Sequence, residues 1–403
     1  MRDILSQGGD REPSPGPRRA AVVAALLLVT VVLVWQLPRG RHAPARPARS
    51  AVTASPVPLP SSGSPAPGLA DEPNGLIGQA LPRDGSLRLP VTGEQPAWFW
   101  PATGRVKPIG GLPRDRSGYQ FIRLAGGWAV QAGSGARLRC GSCAGPLVPV
   151  YFLGDGAQSV TQVGRADQVA PGAAARTVWL TSYPLGTDMG TAAGTARAVS
   201  AGGAPLGPRL RLPAGYVISQ ATDRGLLLAP VTQRPGTTAD TLWDPAAPQA
   251  SRRFDGVIAA SASEIAWAAR CAPLCRVQVL DLPTGRRTSV ELSRAGSAAN
   301  GAFSPEWDFL ALEVSFDNGG DGGALATQLD VASLASDRLT VVPGTWVSSD
   351  ALAGFGWPAS SDSLIAELSF TTKVQLASWR PGAAQLGVAV IRPGQNPASL
   401  IVG

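Results

Sequence analysis

The sequence predicts an all-β domain that follows an N-terminal transmembrane helix and a proline-rich spacer. Two observations favour strands. From about residue 85 onward, short apolar runs alternate with Gly, Pro and Asp turns at intervals of roughly eight to twelve residues. In the same region, no segment of helical length repeats its apolar residues with the period of an amphipathic helix. A third observation, an uncharged run near the N-terminus, predicts the membrane segment.

The N-terminal region divides into a tail, an anchor and a spacer. Residues 1–19 are polar and rich in proline, which is typical of a short disordered tail. Residues 20–37 carry no charge, are flanked by arginines and reach the lower limit of length for a membrane span. We predict an uncleaved transmembrane helix there, with a cleaved signal peptide as the alternative. Residues 38–82, rich in Pro, Ala, Ser and Gly, predict an extended disordered spacer.

The positive charge of the chain is concentrated beside the predicted anchor. The net charge is +7, but residues 1–49 hold eight arginines against three acidic residues, so the remainder carries only +2. Arginines that flank an apolar run suit lipid headgroups. The distribution therefore argues against a nucleic-acid partner.

The domain from 83 to 403 contains no histidine, because the chain's only histidine is His42. This excludes Ser-His-Asp catalysis, Cys-His catalysis and histidine-ligated metals from the domain. It is the strongest exclusion that the composition provides.

The region 83–403 divides into seven similar units. Their approximate bounds are 85–118, 119–172, 173–215, 216–256, 257–300, 301–350 and 351–403. In the later units, a second-strand segment such as 310–312 precedes a third-strand segment such as 327–331. Four successive strands, with a turn before the last, make one blade of a β-propeller, and about 46 residues per unit is close to the repeat length of roughly 40–45. We predict a single β-propeller, most simply of seven four-stranded blades, with six or eight blades as alternatives.

Two short phrases connect this pattern to a known family. The phrase FSPEWDFLAL at 303–312 resembles a motif in the blades of TolB-like and WD40-like β-propellers, with Trp307 in place of the usual glycine, and GWPASSDSLIA at 356–366 is a weaker copy. Trp243 and Asp244 resemble the Trp-Asp dipeptide of WD40 repeats, but those repeats also use a Gly-His pair, so the TolB-like type is the better match. The layout of the whole chain resembles membrane-anchored propeller proteins of actinobacteria. The resemblance implies a rigid ring with loops on both faces and specifies no ligand.

A propeller must join its first and last blades, since otherwise strand edges stay exposed. The segment 386–391 is a late apolar strand, and 399–402 is another short one. At the opposite end, 86–91 contains Pro90, which limits that strand to an edge. We expect that one terminal segment completes the blade begun by the other.

Four cysteines form two close pairs in equivalent loops of the second and fifth units. Cys140 is close to Cys143, and Cys271 is close to Cys275. In an extracytoplasmic domain, such pairs predict structural disulfides that staple each hairpin, and they favour a domain outside the cytoplasm. The alternatives are a thioredoxin-type dithiol, for which no helix N-terminus is visible, and a zinc site shared between the two units.

An acidic glycine-rich loop in the sixth unit is a candidate metal site. Asp317, Asn318 and Asp321 supply oxygen atoms on a pliable backbone, which could ligate Ca²⁺. The spacing does not match an EF-hand, and a flexible hairpin loop is the alternative. No other cofactor is predicted.

Eleven tryptophans are many for such a chain, and most of this signal is expected to be core packing. Trp267, Trp307, Trp357 and Trp379 fall in the blade-like units, where aromatic side chains fill the gaps between blades. Carbohydrate stacking on an exposed tryptophan is the alternative.

The sequence predicts a binding protein without enzymatic activity. No S-x-D-x-G-x-T-W box of sialidase-like propellers is present, and no room for a hydrolase domain is expected after residue 403. Glu306 and Asp308 could form a catalytic carboxylate pair, although turn residues explain them equally well.

The predicted function is that of a monomeric, single-pass membrane protein whose extracytoplasmic propeller is a scaffold for a protein or a cell-envelope ligand. One alternative is an extracytoplasmic sensor that signals through a membrane partner, because residues 1–19 are too few for an independent domain. The other alternative is a glycan-active hydrolase.

Overall fold

Seven antiparallel sheets follow one another along the chain in the computed structural model, and together they form a seven-bladed β-propeller. The structure describes residues 79–80, 87–92, 95–114, 118–124, 126–133, 143–174, 176–231, 239–269, 274–306, 308–317, 325–358, 363–370 and 373–391. Within each blade, the strands are named A to D from the ring axis outward. The first strands of neighbouring blades contact each other, which places the A strands nearest the axis.

The first four blades contain strands β2 to β16. Blade one has three described strands, β2 (Leu89–Val91), β3 (Ala97–Trp100) and β4 (Arg105–Pro108). Blade two has β5 (Tyr119–Leu124), β6 (Gly127–Ala132), β7 (Val148–Gly154) and β8 (Thr161–Ala166). Blade three has β9 (Gln168–Pro171), β10 (Thr177–Ser182), β11 (Thr195–Ser200) and β12 (Leu210–Arg211). Blade four has β13 (Tyr216–Thr222), β14 (Gly225–Pro230), β15 (Ala239–Trp243) and β16 (Arg252–Asp255), with a 3-10 turn at Pro248–Ala250 before its last strand.

The last three blades contain strands β17 to β29. Blade five has β17 (Val257–Ala260), β18 (Glu264–Ala268), β19 (Arg276–Asp281) and β20 (Arg287–Glu291). Blade six has β21 (Ser297–Phe303), β22 (Phe309–Asp317), β23 (Leu325–Ser333) and β24 (Arg338–Val341), and β25 (Val347–Ser348) also pairs with β23. Blade seven has β26 (Leu352–Gly356), β27 (Leu364–Phe370), β28 (Lys373–Trp379) and β29 (Gly387–Ile391). Strand β1 (Gln79–Ala80) pairs with β29. The described sheets therefore confirm the predicted seven units.

The middle strands are apolar on both faces because each blade packs between two others. In β22, Leu310 and Leu312 pack toward blade five, while Ala311 packs toward blade seven. In β27, Ala366 packs toward blade six and Ile365 packs toward blade one. Continuous apolar runs, rather than strict alternation, therefore mark these strands in the sequence.

Tryptophans fill the gaps between blades, as the sequence predicted. Trp267 meets Phe254 of blade four edge to face, with ring centroids 5.2 Å apart. Trp357 stacks on Phe309 of blade six at 6.1 Å. Aromatic pairs of this kind stabilise a junction beyond the area that they bury.

The A strands of blades four to seven each contain a β-bulge. The pairing register of the A strand with the B strand shifts at one place in each of these blades, and the extra residues are Ser219, Ile258, Ala299 and Ala353. A bulge increases the local right-handed twist of a strand. The four bulges thus bend the innermost strands in the same way around this part of the ring.

The ring closes through a parallel contact at the rim of blade seven. Gln79 pairs with Gly387 and Ala80 pairs with Val388, so β1 is a fifth strand on the outer edge of this blade. The expectation that one terminus completes the blade begun by the other needs a correction. C-terminal residues form all four strands A to D, and the N-terminal strand is added outside them.

Both predicted N-terminal features fall outside the described residues, namely the membrane span at 20–37 and most of the spacer at 38–82. Among the residues that the structure does describe, no helix is long and apolar enough to cross a membrane.

Candidate ligand-binding face

The strand directions place two kinds of loop on the same face of the ring. Because successive strands are antiparallel, the B–C loops and the connections between blades share one face, here named the loop face. The A–B and C–D turns share the opposite face, here named the turn face. Cys143, Cys275 and Asp317 lie in or beside B–C loops, so the predicted cysteine and calcium loops all belong to the loop face.

On this face, the loops of blades two and three are hydrogen-bonded to each other. Cys143 forms an isolated antiparallel bridge with Asp188. The backbone N–H of Ala144 donates to the carbonyl of Thr187 at 2.9 Å, and the N–H of Gly186 donates to the carbonyl of Ala144 at 2.9 Å. The tip of this fixed turn is Leu185, which is 70% exposed. A leucine is thereby held out to solvent by an ordered backbone.

In blade five, the cysteine loop is joined to the connection that leads into blade six. The N–H of Leu292 donates to the carbonyl of Cys275 at 2.9 Å, and the sulfur of Cys275 contacts the carbonyl of Gly296. A Cβ atom at Gly296 would lie 2.6 Å from the carbonyl oxygen of Ser315. Only glycine fits so close to β22, so this connection is held between the cysteine loop and blade six.

Two residues of this connection, Ser293 and Arg294, meet the buried Gln328 and Asp330 of β23, and these four residues are here named the blade-six cluster. Asp330 is fully buried on strand β23. Its carboxylate accepts hydrogen bonds from Ser293 Oγ at 2.9 Å and from Gln328 Nε2 at 2.7 Å. Gln328 Nε2 also donates to Ser293 Oγ at 3.0 Å.

The charge of Asp330 costs free energy in this position. Burial raises the pKa of Asp330 to about 6, although the hydrogen bonds from Ser293 and Gln328 and the nearby Arg294 act in the opposite direction. Desolvation is the largest cause, as expected for a carboxyl group removed from water.

Within the cluster, Arg294 lies against two aromatic rings. Its guanidinium carbon is 4.5 Å from the ring centroid of Phe316 and 4.0 Å from that of Trp346. The two rings meet edge to face at 4.8 Å. Arg294 Nε and Trp346 Nε1 are both buried and have no hydrogen-bond partner. Desolvation lowers the pKa of Arg294, and Asp330 opposes this shift.

Several predicted site residues lie outside the described residues. These are Cys140 and Cys271, so the pairings 140–143 and 271–275 stay predictions, and Asn318 and Asp321 of the calcium loop. Asp317 ends β22, directly after Phe316. Within the described ranges, no group of three or more His, Cys, Asp or Glu side chains is placed to hold a metal ion, and calcium binding stays a prediction.

The suggested carboxylate pair lies on the other face of the ring. Glu306 and Asp308 belong to the A–B turn of blade six, between β21 and β22. That turn is on the turn face, away from the connections and B–C loops. The position of these two acids therefore agrees with their interpretation as turn residues.

Sequence reasoning missed Arg294, Trp346 and Asp330. One signal for Asp330 was present: strand β23 reads LATQLDVAS, in which an acid interrupts a buried strand. Counted from the A-strand bulge of each blade, the equivalent residues are Leu280 in blade five and Ala377 in blade seven, so among these three blades only blade six has an acid there. The contact with Arg294 had no local signal, because it joins separate segments of the chain.

Neither a protein-family model nor a curated protein matches the chain. Solved structures do resemble it. A prolyl endopeptidase has 13% identity and a TM-score of 0.50 over 77% of this chain and 51% of its own. The β-propeller domain of the Trilobed protease from Pyrococcus furiosus has 7% identity and a TM-score of 0.47, over 75% and 88% respectively. TolB from Acinetobacter baumannii has 12% identity and a TM-score of 0.36, over 66% and 65%.

These likenesses concern the fold alone. The chain spans about half the length of the prolyl endopeptidase that it resembles. At such low identity, a shared β-propeller carries no information about substrate or partner. The expectation that this chain is not an enzyme stays a prediction.

Proposed function

We propose that this protein is a membrane-anchored, extracytoplasmic binding scaffold whose propeller contacts a protein or cell-envelope ligand through its loop face. The observation that carries this proposal is the fixed turn of blades two and three. Backbone hydrogen bonds hold the turn, and its tip presents Leu185 with 70% of the residue exposed. A second leucine, Leu325, is 54% exposed at the start of β23, on the same face.

Such a surface suits recognition by a preformed shape. Loops that are held by a rigid scaffold carry binding residues in many folds, and a rigid loop loses little entropy when it binds. An exposed leucine in an ordered backbone loses water on binding without a rearrangement of the chain. The proposal therefore assigns affinity to apolar contacts at the loop face.

The polar groups of this face favour binding over catalysis. Ser293 and Asp330 form a hydrogen-bonded pair, but Asp330 is fully buried and no histidine exists in the domain to act as a base. A reacting bond could not approach the carboxylate. The blade-six cluster thus supports the position of the loops rather than a reaction.

The location is part of the proposal and depends on the sequence. The uncharged run at 20–37, its flanking arginines and the two cysteine pairs support a single-pass membrane protein with the propeller outside the cytoplasm. The propeller is proposed to act as a monomer.

Site-specific crosslinking tests this function. The photoreactive residue p-benzoylphenylalanine is placed at Leu185 in the full chain, and a matched variant carries it at Ser336, an exposed residue in the C–D turn of blade six on the turn face. Irradiation of intact cells should give a discrete adduct from position 185 and a much weaker one from position 336. Identical adducts from both positions, or none from position 185, would overturn the proposal.

A further inference from the structure

Arg294 and Trp346 each have one buried nitrogen without a hydrogen-bond partner. The guanidinium of Arg294 lies against the rings of Phe316 and Trp346. Arg294 Nε and Trp346 Nε1 are buried donors without an acceptor. In the described part of the chain, no carboxylate lies within ion-pair distance of Arg294. Unpaired buried donors are rare in folded proteins, and each one invites an explanation.

Three other buried tryptophans of the described residues donate their indole N–H groups to backbone carbonyls. Trp98 donates to the carbonyl of Ala157 at 2.9 Å, and Trp357 donates to the carbonyl of Ala302 at 3.0 Å. Trp379 donates to a carbonyl in the same way, at 2.9 Å. The fold therefore pairs indole N–H groups where it can, and Trp346 stands out against this background.

The missing partner must be an acceptor, because an arginine and an indole supply only donors. Asp330 is near, but it accepts no hydrogen bond from Arg294 Nε or Trp346 Nε1 and forms no ion pair with Arg294 among the described residues. We propose that Arg294 and Trp346 form a subsite on the loop face for a carboxylate group of the ligand. This inference rests on the proposed binding function and assigns one chemical group to it.

The charge balance favours a carboxylate over a phosphate dianion. The planar guanidinium offers parallel N–H groups that match the two oxygens of a carboxylate. Asp330 already brings one negative charge next to Arg294, so a ligand with a single charge is accommodated at a lower electrostatic cost than one with two.

Access to the subsite is from the loop face. Arg294 lies in the connection between blades five and six and is only partly buried. Trp346 lies in the connection between blades six and seven and directly precedes β25 in the sequence. Since both orphan nitrogens are covered in the absence of ligand, the Arg294 side chain must turn outward as the carboxylate enters.

Indole NMR tests this subsite directly. The full chain, purified in a mild detergent, is labelled with ¹⁵N-tryptophan, and the Trp346 Nε1–H signal is assigned with the variant Trp346→Phe. Sodium acetate is the probe, with chloride and inorganic phosphate titrated at matched ionic strength. Acetate should move the Trp346 signal in a saturable manner, while chloride should move it little and phosphate should bind more weakly.

Two variants separate a specific site from a general effect. Arg294→Gln should abolish the acetate response. Arg105→Gln is the matched control, because Arg105 also stacks on a tryptophan, 4.1 Å from the ring of Trp100, but lies on an exposed strand. This control should leave the Trp346 response unchanged.

The outcomes are distinct. If acetate moves the signal no more than chloride does, or if phosphate binds and acetate does not, the carboxylate subsite is wrong. If Arg294→Gln keeps the acetate response, Arg294 is not the ligand-binding group. If the crosslink at position 185 forms but acetate does not move the Trp346 signal, the scaffold function stands and only the carboxylate subsite is wrong.

Discussion

Ser293 donates a hydrogen bond of 2.9 Å from its Oγ to Asp330 Oδ2, and this contact joins the connection between blades five and six to the third strand of blade six. Asp330 and Gln328 are buried, and Gln328 bonds to both partners, so the loss of one of the three residues removes a hydrogen bond from each of the other two. The junction is thus fixed by polar groups as well as by apolar packing.

Substitution of Asp330 should therefore destabilise the domain. Asp330→Ala removes the acceptor of the Ser293 hydroxyl and one of the two acceptors of the buried Gln328 amide, and it leaves a cavity in β23, so we expect a loss of about 2–3 kcal/mol in the free energy of unfolding. Ser293→Ala removes one donor and should cost about 1 kcal/mol. Urea denaturation measures both. Ser336→Ala, on the exposed turn face, is the control and should leave the free energy of unfolding unchanged. If Asp330→Ala changes it no more than Ser336→Ala does, the cluster does not stabilise the fold.

Asp240 should make stability depend on pH. Burial raises the pKa of Asp240 from 3.8 to about 6 in the folded state. Because the pKa is higher in the folded state, the protonated carboxyl group stabilises the fold. This contribution to the free energy of unfolding is complete below about pH 3.8 and is lost as the pH rises through about 6. Asp240→Asn stays neutral. Because Asp240 is only half-buried and solvent screens its charge, we discount the full shift and expect the variant to exceed the parent in stability by about 1–2 kcal/mol at pH 7 and to equal it near pH 4.

Urea denaturation of both proteins across this pH range checks the expectation. Asp330, with a pKa of about 6, titrates in the same window and leaves a residual pH dependence in the variant. If the free energies of unfolding of the parent and of Asp240→Asn change in parallel between pH 4 and pH 7, ionisation of Asp240 does not destabilise the folded state.

Removal of the last strand should destabilise the whole ring. Strand β29 pairs with β28 on one side and with β1 on the other, and the buried Leu386 precedes it. Deletion of residues 384–403 exposes the edge of β28 and releases β1, so we expect a lower melting temperature and a tendency to associate. Deletion of 395–403 alone is the control. A 384–403 deletion that keeps the parent melting temperature and stays monomeric would show that closure does not depend on this strand.

The cysteine pairs are expected to be locally oxidised, 140 with 143 and 271 with 275. Such short rings remove little entropy from the unfolded chain, so each bond should add at most about 2–3 kcal/mol. Mass spectrometry of non-reduced peptides identifies the pairing. A bond between the loops of blades two and five, or free thiols with bound zinc, would contradict it.

Reduction of the second pair has a further expected effect, because Cys275 contacts Gly296 in the connection that carries Arg294. Reduction should broaden the Trp346 indole signal, whereas the Trp98 signal, from blade one, serves as the internal control. Equal changes in both signals would point to general loosening rather than to this contact.

The repeat was predictable because its information is local. Leu310, Ala311 and Leu312 are adjacent in sequence and pack on both faces of one strand, so an apolar run marks the strand before any tertiary contact is known. The same holds for the B–C positions of Cys143 and Cys275, which depend only on strand order.

The candidate subsite was not predictable, because its contacts depend on register between distant segments. Arg294, Phe316 and Trp346 come from two connections and a strand end, and no spacing rule brings them together. The way in which the ring closes could not be predicted for the same reason. The pairing of Gln79 with Gly387 joins opposite ends of the domain, and the apolar pattern of 386–391 marks a strand without indicating its partner.

The direction of strand β1 fixes the side from which the chain enters the ring. It runs parallel to β29, which begins at the C–D turn of blade seven, so Gln79 lies at the turn face and Ala80 lies one residue nearer the loop face. Leu185 and Arg294, which lie on the loop face, are therefore at the opposite end of the strands from Gln79.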